Sequence, residues 1–334
     1  MEAIGVGLVG TGFAAQMRAD ALKMHDRVLF KGVAGNDLDR SQAFADRFEV
    51  RAFPDIPSLL AADEIDLIII ANQNHHHAAV AKAALEAGKH VVVEYPLALD
   101  WTEAKALQRL AQERDRLLHV EHIELLGGWH QALRDQLPQV GQPRLVRYAT
   151  IQSKRPAPDH WTYRLAEFGF PFVAALSRIH RLTDVLGAVT AVQGQAQFFP
   201  KALSSPSNSF KTCICTAQLI FAQGTIAIVT YAKGEDLWRS ERLMEIQGDR
   251  GTLRFDEEVG TLITEAGETI VDLGGRRGLF AKDTAAIVAF LLEGKALYVN
   301  LEASLYALKV ANAIQRSAAT GQTIVLDVLD TEMG

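Results

Sequence analysis

Two short stretches of this chain carry residue types and spacings suited to redox chemistry on a bound dinucleotide. Gly10-Thr11-Gly12-Phe13-Ala14-Ala15 is a G-x-G-x-x-A element between an apolar strand and a helix. There, backbone N–H groups and a helix N-terminus can meet a pyrophosphate. Glu94-Tyr95-Pro96 ends the apolar run Val91-Val92-Val93, and Asn72-Gln73-Asn74 ends Ile68-Ile69-Ile70-Ala71. Both triplets belong at the carboxyl edge of a parallel sheet, where such folds bind ligands, so Asn72, Gln73 and Glu94 are candidate cofactor contacts. His75, His76 and His77 invite a metal reading, but adjacent residues at a helix start diverge and no nearby carboxylate completes a ligand set. No metal is expected, and His77 is assigned to a cofactor or structural contact.

The end of the second strand bears on which nicotinamide is carried, because NAD enzymes place an acidic side chain there on the ribose hydroxyls. Aligning Val33-Ala34-Gly35-Asn36-Asp37-Leu38-Asp39-Arg40 by its strand end puts Gly35 at that position. A missing carboxylate removes the repulsion against a 2′-phosphate, which Asn36, Arg40 or Ser41 could contact. NADPH is therefore the expected cofactor and NADH the weaker alternative. Asp37 reverses that preference if the loop shifts by two residues.

The elements that must position these residues are readable from periodicity. Apolar strand patterns at Ile4 to Val9, Val28 to Ala34, Leu67 to Ala71 and His90 to Val93 alternate with helix patterns at Ala14 to Lys23, Ser41 to Phe48 and His77 to Ala87. Such alternation implies βαβ crossovers and a doubly wound parallel sheet, the α/β Rossmann arrangement, over residues 1–125. Residues 126–334 read as an α+β domain with a large, mostly antiparallel sheet. Its strands are expected at Leu145 to Ser153, Ala191 to Phe198, Thr212 to Phe221, Thr225 to Tyr231, Leu243 to Gln247, Thr252 to Phe255 and Gly260 to Thr264. Helices at Phe170 to Leu186, Phe280 to Leu292 and Leu301 to Ala318 would cover one face, the last packing near the domain boundary. Lys201 to Ser209 reads as a mobile loop.

Composition agrees with two soluble domains. The chain has 334 residues, 49% of them hydrophobic and 22% charged, and single cores rarely grow past about 250–300 residues. A net charge of -6 argues against nucleic acid as the main partner, since phosphate binding needs an excess of Lys and Arg. Cys213 and Cys215 alternate along one strand and cannot supply the four ligands of a zinc site. No apolar run approaches the roughly 18 residues that span a bilayer. With no basic leader before the first strand, the cytoplasm is the expected location and no membrane partner is expected.

The stretches Ile68 to His77 and Ala87 to Pro96 resemble the glucose-fructose oxidoreductase/inositol dehydrogenase-like family. That family usually reads Glu-Lys-Pro where this chain reads Glu94-Tyr95-Pro96, and its sugar-converting members add an Asp and a His four apart on a helix of the second domain. The matching stretch here is Val173-Ala174-Ala175-Leu176-Ser177, so all three proton-handling groups are absent unless His180 restores one. The phenol suggests that the substrate is not a sugar alcohol.

A narrower resemblance spans nearly the whole chain. His90 to Leu99, Leu117 to Leu126, Phe168 to Pro171 with Leu176 to Ile179, Gly248 to Leu253 and Leu301 to Leu308 resemble the biliverdin reductases, the cyanobacterial type in particular. The resemblance implies hydride transfer from NAD(P)H to the central methine carbon of biliverdin, a CH–CH type reduction, with a proton delivered to a pyrrole nitrogen. A conjugated tetrapyrrole is already electrophilic, so it needs a flat apolar cleft, a proton donor and cations for two propionates rather than a strong base. Arg178 is the first candidate for the critical residue, because a guanidinium can pair with a propionate or polarise the pyrrole. Tyr95, with an ordinary phenol pKa of about 10, would donate a hydrogen bond or stack, and Glu121 with His122 would join a proton relay. Lys154, Arg155, Arg164, Arg181 and Lys233 form a pool of propionate contacts, Lys233 being the one placed at the site. Two rivals stay open, a family reductase or dehydrogenase acting on a sugar or small carbonyl and a non-catalytic NADPH sensor. A monomer is expected, with a dimer as the alternative.

Overall fold

The computed structural model describes residues 3–200, 209–256, 259–275 and 277–327. Apart from Ser209, the expected mobile loop lies outside the described residues. The chain divides into two compact units, one of Met1–Leu126 with Arg277–Leu305 and one of Gly127–Arg276 with Tyr306–Gly334.

The first unit opens β1 (Ile4–Val9), α1 (Phe13–Lys23), β2 (Val28–Ala34), α2 (Leu38–Phe48), β3 (Arg51–Ala52) and α3 (Ile56–Leu60). It continues through β4 (Leu67–Ile70), α4 (His77–Glu86), β5 (His90–Val93), α5 (Trp101–Glu113) and β6 (Leu118–Val120). The strands form a six-stranded sheet in the order β3-β2-β1-β4-β5-β6, with all the paired strands parallel. Every residue of β1 and β4 is buried, as unbroken apolar runs require when helices cover both faces. The order reverses at β1, so the ends of β1, β4 and β5 lie together at the switch point where ligands bind.

The second unit contains α6 (Gly128–Val140), β7 (Pro143–Ser153), α7 (Leu165–Phe168), α8 (Pro171–Ala174), α9 (Ser177–Leu186), β8 (Val189–Phe199), β9 (Thr212–Phe221), β10 (Ile226–Gly234), β11 (Glu241–Gly248), β12 (Gly251–Asp256), β13 (Val259–Thr264) and β14 (Gly267–Val271). Then come α10 (Leu279–Glu293), α11 (Leu301–Thr320) and β15 (Ile324–Val325). Among the described residues the sheet has nine strands in the order β14-β13-β12-β11-β7-β10-β9-β8-β15, antiparallel except where β7 meets β10. The mostly antiparallel sheet is the one expected. β14 and β15 escaped notice because one is nearly all exposed and the other is two residues long.

Two helical expectations need correction. The single helix expected over Phe170 to Leu186 is two, α8 and α9, parted at Ala175 where ψ turns to 41°. The helix expected over Phe280 to Leu292 as a cover for the second sheet belongs to the first unit as α10. Its Ile287 and Val288 join Ala15, Ala19 and Leu22 of α1 in one core cluster. Periodicity reveals that a helix has a face to bury, not which surface buries it. The expected division at residue 125 therefore describes only the first crossing of the chain, and α11 begins in the first unit and continues in the second.

Candidate active site

The phosphate loop begins where β1 ends. Gly10 has φ +121°, and a Cβ there would lie 2.4 Å from the carbonyl oxygen of Ala71, so only glycine lets β1 run this close to the end of β4. Gly12 is the N-cap of α1 and offers no side-chain cap, while nothing lies within 4 Å of where its Cβ would be. The first N–H groups of α1 are thus turned toward an open cradle, the arrangement that receives a pyrophosphate.

Beyond β2, Asp37 is spent on capping α2. Its carboxylate accepts from the Arg40 N–H at 3.0 Å, and the Ser41 hydroxyl donates to its carbonyl at 2.8 Å. A cavity of about 310 Å³ opens beside this turn, lined by Thr11, Gln16, Arg40, Ala43, Phe44 and Arg47. Two guanidiniums at its rim suit a ribose phosphate better than a bare diol. Arg40 was a sequence candidate. Arg47 was missed, although its spacing of seven from Arg40 puts both on one face of α2.

At the other end of the cradle, Asn72 follows β4 with its side-chain nitrogen and oxygen both buried and without a hydrogen-bond partner among the described residues. A buried, unsatisfied amide is costly, and a dinucleotide's polar edge would supply what it lacks. His77 has a different task. It is 1% exposed, with Nδ1 2.8 Å from the Pro96 carbonyl and Nε2 3.2 Å from the Asn72 carbonyl. Burial lowers its pKa, so the neutral ring, with one N–H for the two carbonyls, ties the loop carrying Tyr95 to the end of β4.

Glu94, expected at the cofactor, has its carboxylate on the Arg18 Nε at 2.7 Å. Arg18 stands on α1 with no exposure, donates another bond to Asp283 of α10, and lies 3.9 Å from Glu121. Asp283 also meets His119 Nε2 at 3.2 Å and accepts from the Tyr298 hydroxyl at 2.8 Å. Burial opposes these charges, but Arg18 and His119 hold Asp283 well below the usual carboxylate range. Glu121 goes the other way, raised by burial and by Glu94.

Tyr95 lies flat on His122, ring centroids 5.4 Å apart and planes 4° from parallel. His122 was expected to touch substrate, but it is fully buried. Its Nε2 is 2.8 Å from the Ser304 hydroxyl and its backbone N–H donates to Tyr298 at 3.0 Å. It backs Tyr95 instead of facing a ligand. The rings of His75 and His76 are 3.8 Å apart, and no group of three ligating side chains suited to a metal occurs among the described residues.

In the second unit Arg178 is half-buried near the start of α9. Its Nη1 donates to the Ser177 hydroxyl at 2.9 Å, and its guanidinium lies 5.7 Å from the centre of the Tyr231 ring on β10. Val173, Ala174, Ala175, Leu176 and Ser177 are all buried. His180 does not restore the missing base: it is 1% exposed, and burial pushes its pKa down to about 4.

Two of the proposed propionate contacts are placed elsewhere. Lys233 is 4% exposed, with its ammonium 3.7 Å from the centre of Phe168, 4.6 Å from Tyr163 and 5.5 Å from Phe210 and donating to the Thr162 carbonyl. Arg181 is 1% exposed and lies over Trp129 at 4.9 Å. Alternation along a strand and spacing along a helix do not tell a cation facing a ligand from one enclosed by aromatic rings. Arg155, Arg164 and Lys154 remain exposed.

The first unit thus has an open glycine loop at the start of α1, a cavity lined by two arginines and an unsatisfied amide beyond β4, and the second a mixed sheet with an arginine beside a tyrosine. This combination defines a two-domain nicotinamide-dependent oxidoreductase. Residues 4–122 match the oxidoreductase family's NAD-binding Rossmann fold and residues 135–326 match its C-terminal alpha/beta domain; the chain belongs to this family. It is similar along its length to the biliverdin reductase of Synechocystis sp. PCC 6803, solved in complex with biliverdin and NADP+, with 48% sequence identity, a TM-score of 0.91 and coverage of 95% of this chain and 99% of that one. Biliverdin reductase A of Mus musculus is 25% identical over 315 residues, which is 93% of this chain and 95% of the relative. The Homo sapiens protein of the same name is 25% identical over 316 residues, with the same shares covered.

Proposed function

We propose that this chain reduces biliverdin to bilirubin with NADPH. The observation that carries the reading is the Tyr95–His122 stack, which puts a flat, neutral aromatic surface where sugar-converting relatives keep a lysine. A sugar carbinol needs a base to take its proton, whereas the bilin's methine carbon needs a hydride and a nearby proton. The 48% identity to a biliverdin-bound relative supports the same conclusion.

NADPH, when bound, supplies the hydride. Gly10 and Gly12 leave room for its pyrophosphate, Arg40 and Arg47 take the ribose phosphate, and Asn72 satisfies its buried amide on the dinucleotide. Tyr95 offers its ring and phenol to the tetrapyrrole. Arg178 pairs with a propionate or polarises the pyrrole that gains the proton, and Glu121 takes part in supplying that proton. No helix among the described residues is long and apolar enough to cross a membrane, and the reading takes the protein as a cytoplasmic monomer.

A visible-absorbance time course of the protein with biliverdin and NADPH tests the reading, repeated with NADH and with Arg178→Ala. Loss of the biliverdin band with growth of a bilirubin band, slowed severely by the substitution, is the expected result. A spectrum that stays still while NADPH binds would overturn it.

A further inference from the structure

The buried cluster around Arg18 is short of positive charge. One guanidinium and one imidazole face the three carboxyls of Glu94, Glu121 and Asp283. Arg18 donates to Glu94 through Nε and to Asp283 through Nη1. Its third nitrogen, Nη2, is buried without a hydrogen-bond partner and stops 3.9 Å from Glu121, too far for a hydrogen bond.

Glu121 is therefore the carboxyl that Arg18 holds only by a long ion pair and not by a hydrogen bond. One oxygen accepts the Ile123 N–H at 2.8 Å, and its carboxyl is within hydrogen-bonding reach of Glu94. Two carboxyls can share such a bond only if one keeps its proton. The other neighbours do not supply a cation to Glu121: Asp283 occupies His119, Tyr298 is neutral and donates to Asp283, and the buried His77, which bonds the Pro96 and Asn72 carbonyls, has its pKa lowered by burial.

Resting on the biliverdin reading, we propose that Glu121, buried beside Glu94 and out of hydrogen-bonding reach of Arg18, keeps its proton at neutral pH and is the store from which the bilin's proton is drawn. Glu94 is the exit, since its side chain is 14% exposed against 2% for Glu121 and none for Asp283. As the hydride reaches the methine carbon, the O–H bond of the stored proton breaks and an N–H bond forms on the pyrrole nitrogen. The bonding electron pair stays on the carboxyl oxygen, Glu121 is left ionised, and a proton from water restores it by way of Glu94. Arg18 is a positioning residue, holding Glu94 toward Glu121.

Infrared spectra of the wild-type protein alone test the store without depending on turnover. A protonated-carboxyl band should be present at neutral pH, shift in heavy water, fade as the pH is raised, and be missing from Glu121→Gln. In turnover with biliverdin and NADPH, Glu121→Gln should lose about a hundredfold in kcat at alkaline pH with KM changed by no more than about twofold. An absent band in a protein that still reduces biliverdin overturns the store alone, as does a variant with undiminished kcat. A wild-type protein that has the band but leaves biliverdin unchanged overturns the function on which the store's role rests.

Discussion

Tyr95 lies on His122 with the two ring planes only 4° apart, and His122 is in turn held by Ser304 and Tyr298. The phenol that replaces the family's usual lysine is thus a supported platform. Tyr95→Phe keeps the ring and removes one hydrogen-bonding group, a change on the order of 1 kcal/mol, so kcat should fall about fivefold with KM for biliverdin nearly unchanged. Tyr95→Ala removes the platform and should raise KM instead. Steady-state kinetics of the two variants separate the effects.

The pocket beside α2 predicts the cofactor preference. Arg40→Ala and Arg47→Ala should each weaken NADPH by roughly tenfold or more, since bonds between charged groups contribute about 1.5–3 kcal/mol. NADH, which lacks the phosphate, should bind nearly as before. Fluorescence titration with both dinucleotides measures the difference, and equal losses for the two would remove the phosphate from this pocket.

Lys233 makes stability depend on alkaline pH. Burial drives its pKa down from 10.5 to about 8, so between those values the unfolded chain holds a proton that the folded chain has given up. Stability then rises as pH rises from about 8 toward 10.5 and carries the full burden of the enclosed charge below 8. The swing is on the order of 3 kcal/mol. Lys233→Met should flatten that part of the profile, which melting temperatures of the two proteins across the range would reveal. An unchanged slope would place the ammonium outside the aromatic cage.

His180 acts at the acid end. Burial lowers its pKa from 6.5 to about 4, so the unfolded state again binds the extra proton, here between pH 6.5 and 4. Stability is complete above 6.5 and is lost as the pH falls through that window. His180→Gln should blunt the acid loss of melting temperature, and a variant as acid-sensitive as the wild type would count against the assignment.

Much of this protein was decided locally. Apolar runs long enough for strands but too short for helices, glycine where β1 must turn sharply, and helices between them determined a parallel dinucleotide unit. The same local reading placed Asn72 and Tyr95 at the ends of β4 and β5, because a strand's end follows from its pattern. Tyr95's departure from lysine was also visible as a single letter.

What the tertiary structure alone decided concerns partners distant in the chain. Asp283 reaches Arg18 across 265 residues, and α10 leaves the second sheet to pack on α1. His122 is enclosed by Ser304 and Tyr298 rather than offered to a ligand, and Lys233 and Arg181 end over aromatic rings. Sequence pattern specifies a side chain's local face, because backbone geometry repeats every two or 3.6 residues. It does not specify the opposing surface, which depends on how far-separated segments bury their apolar area together, and burial is what decides whether a charge binds a ligand, pairs or gives up its proton.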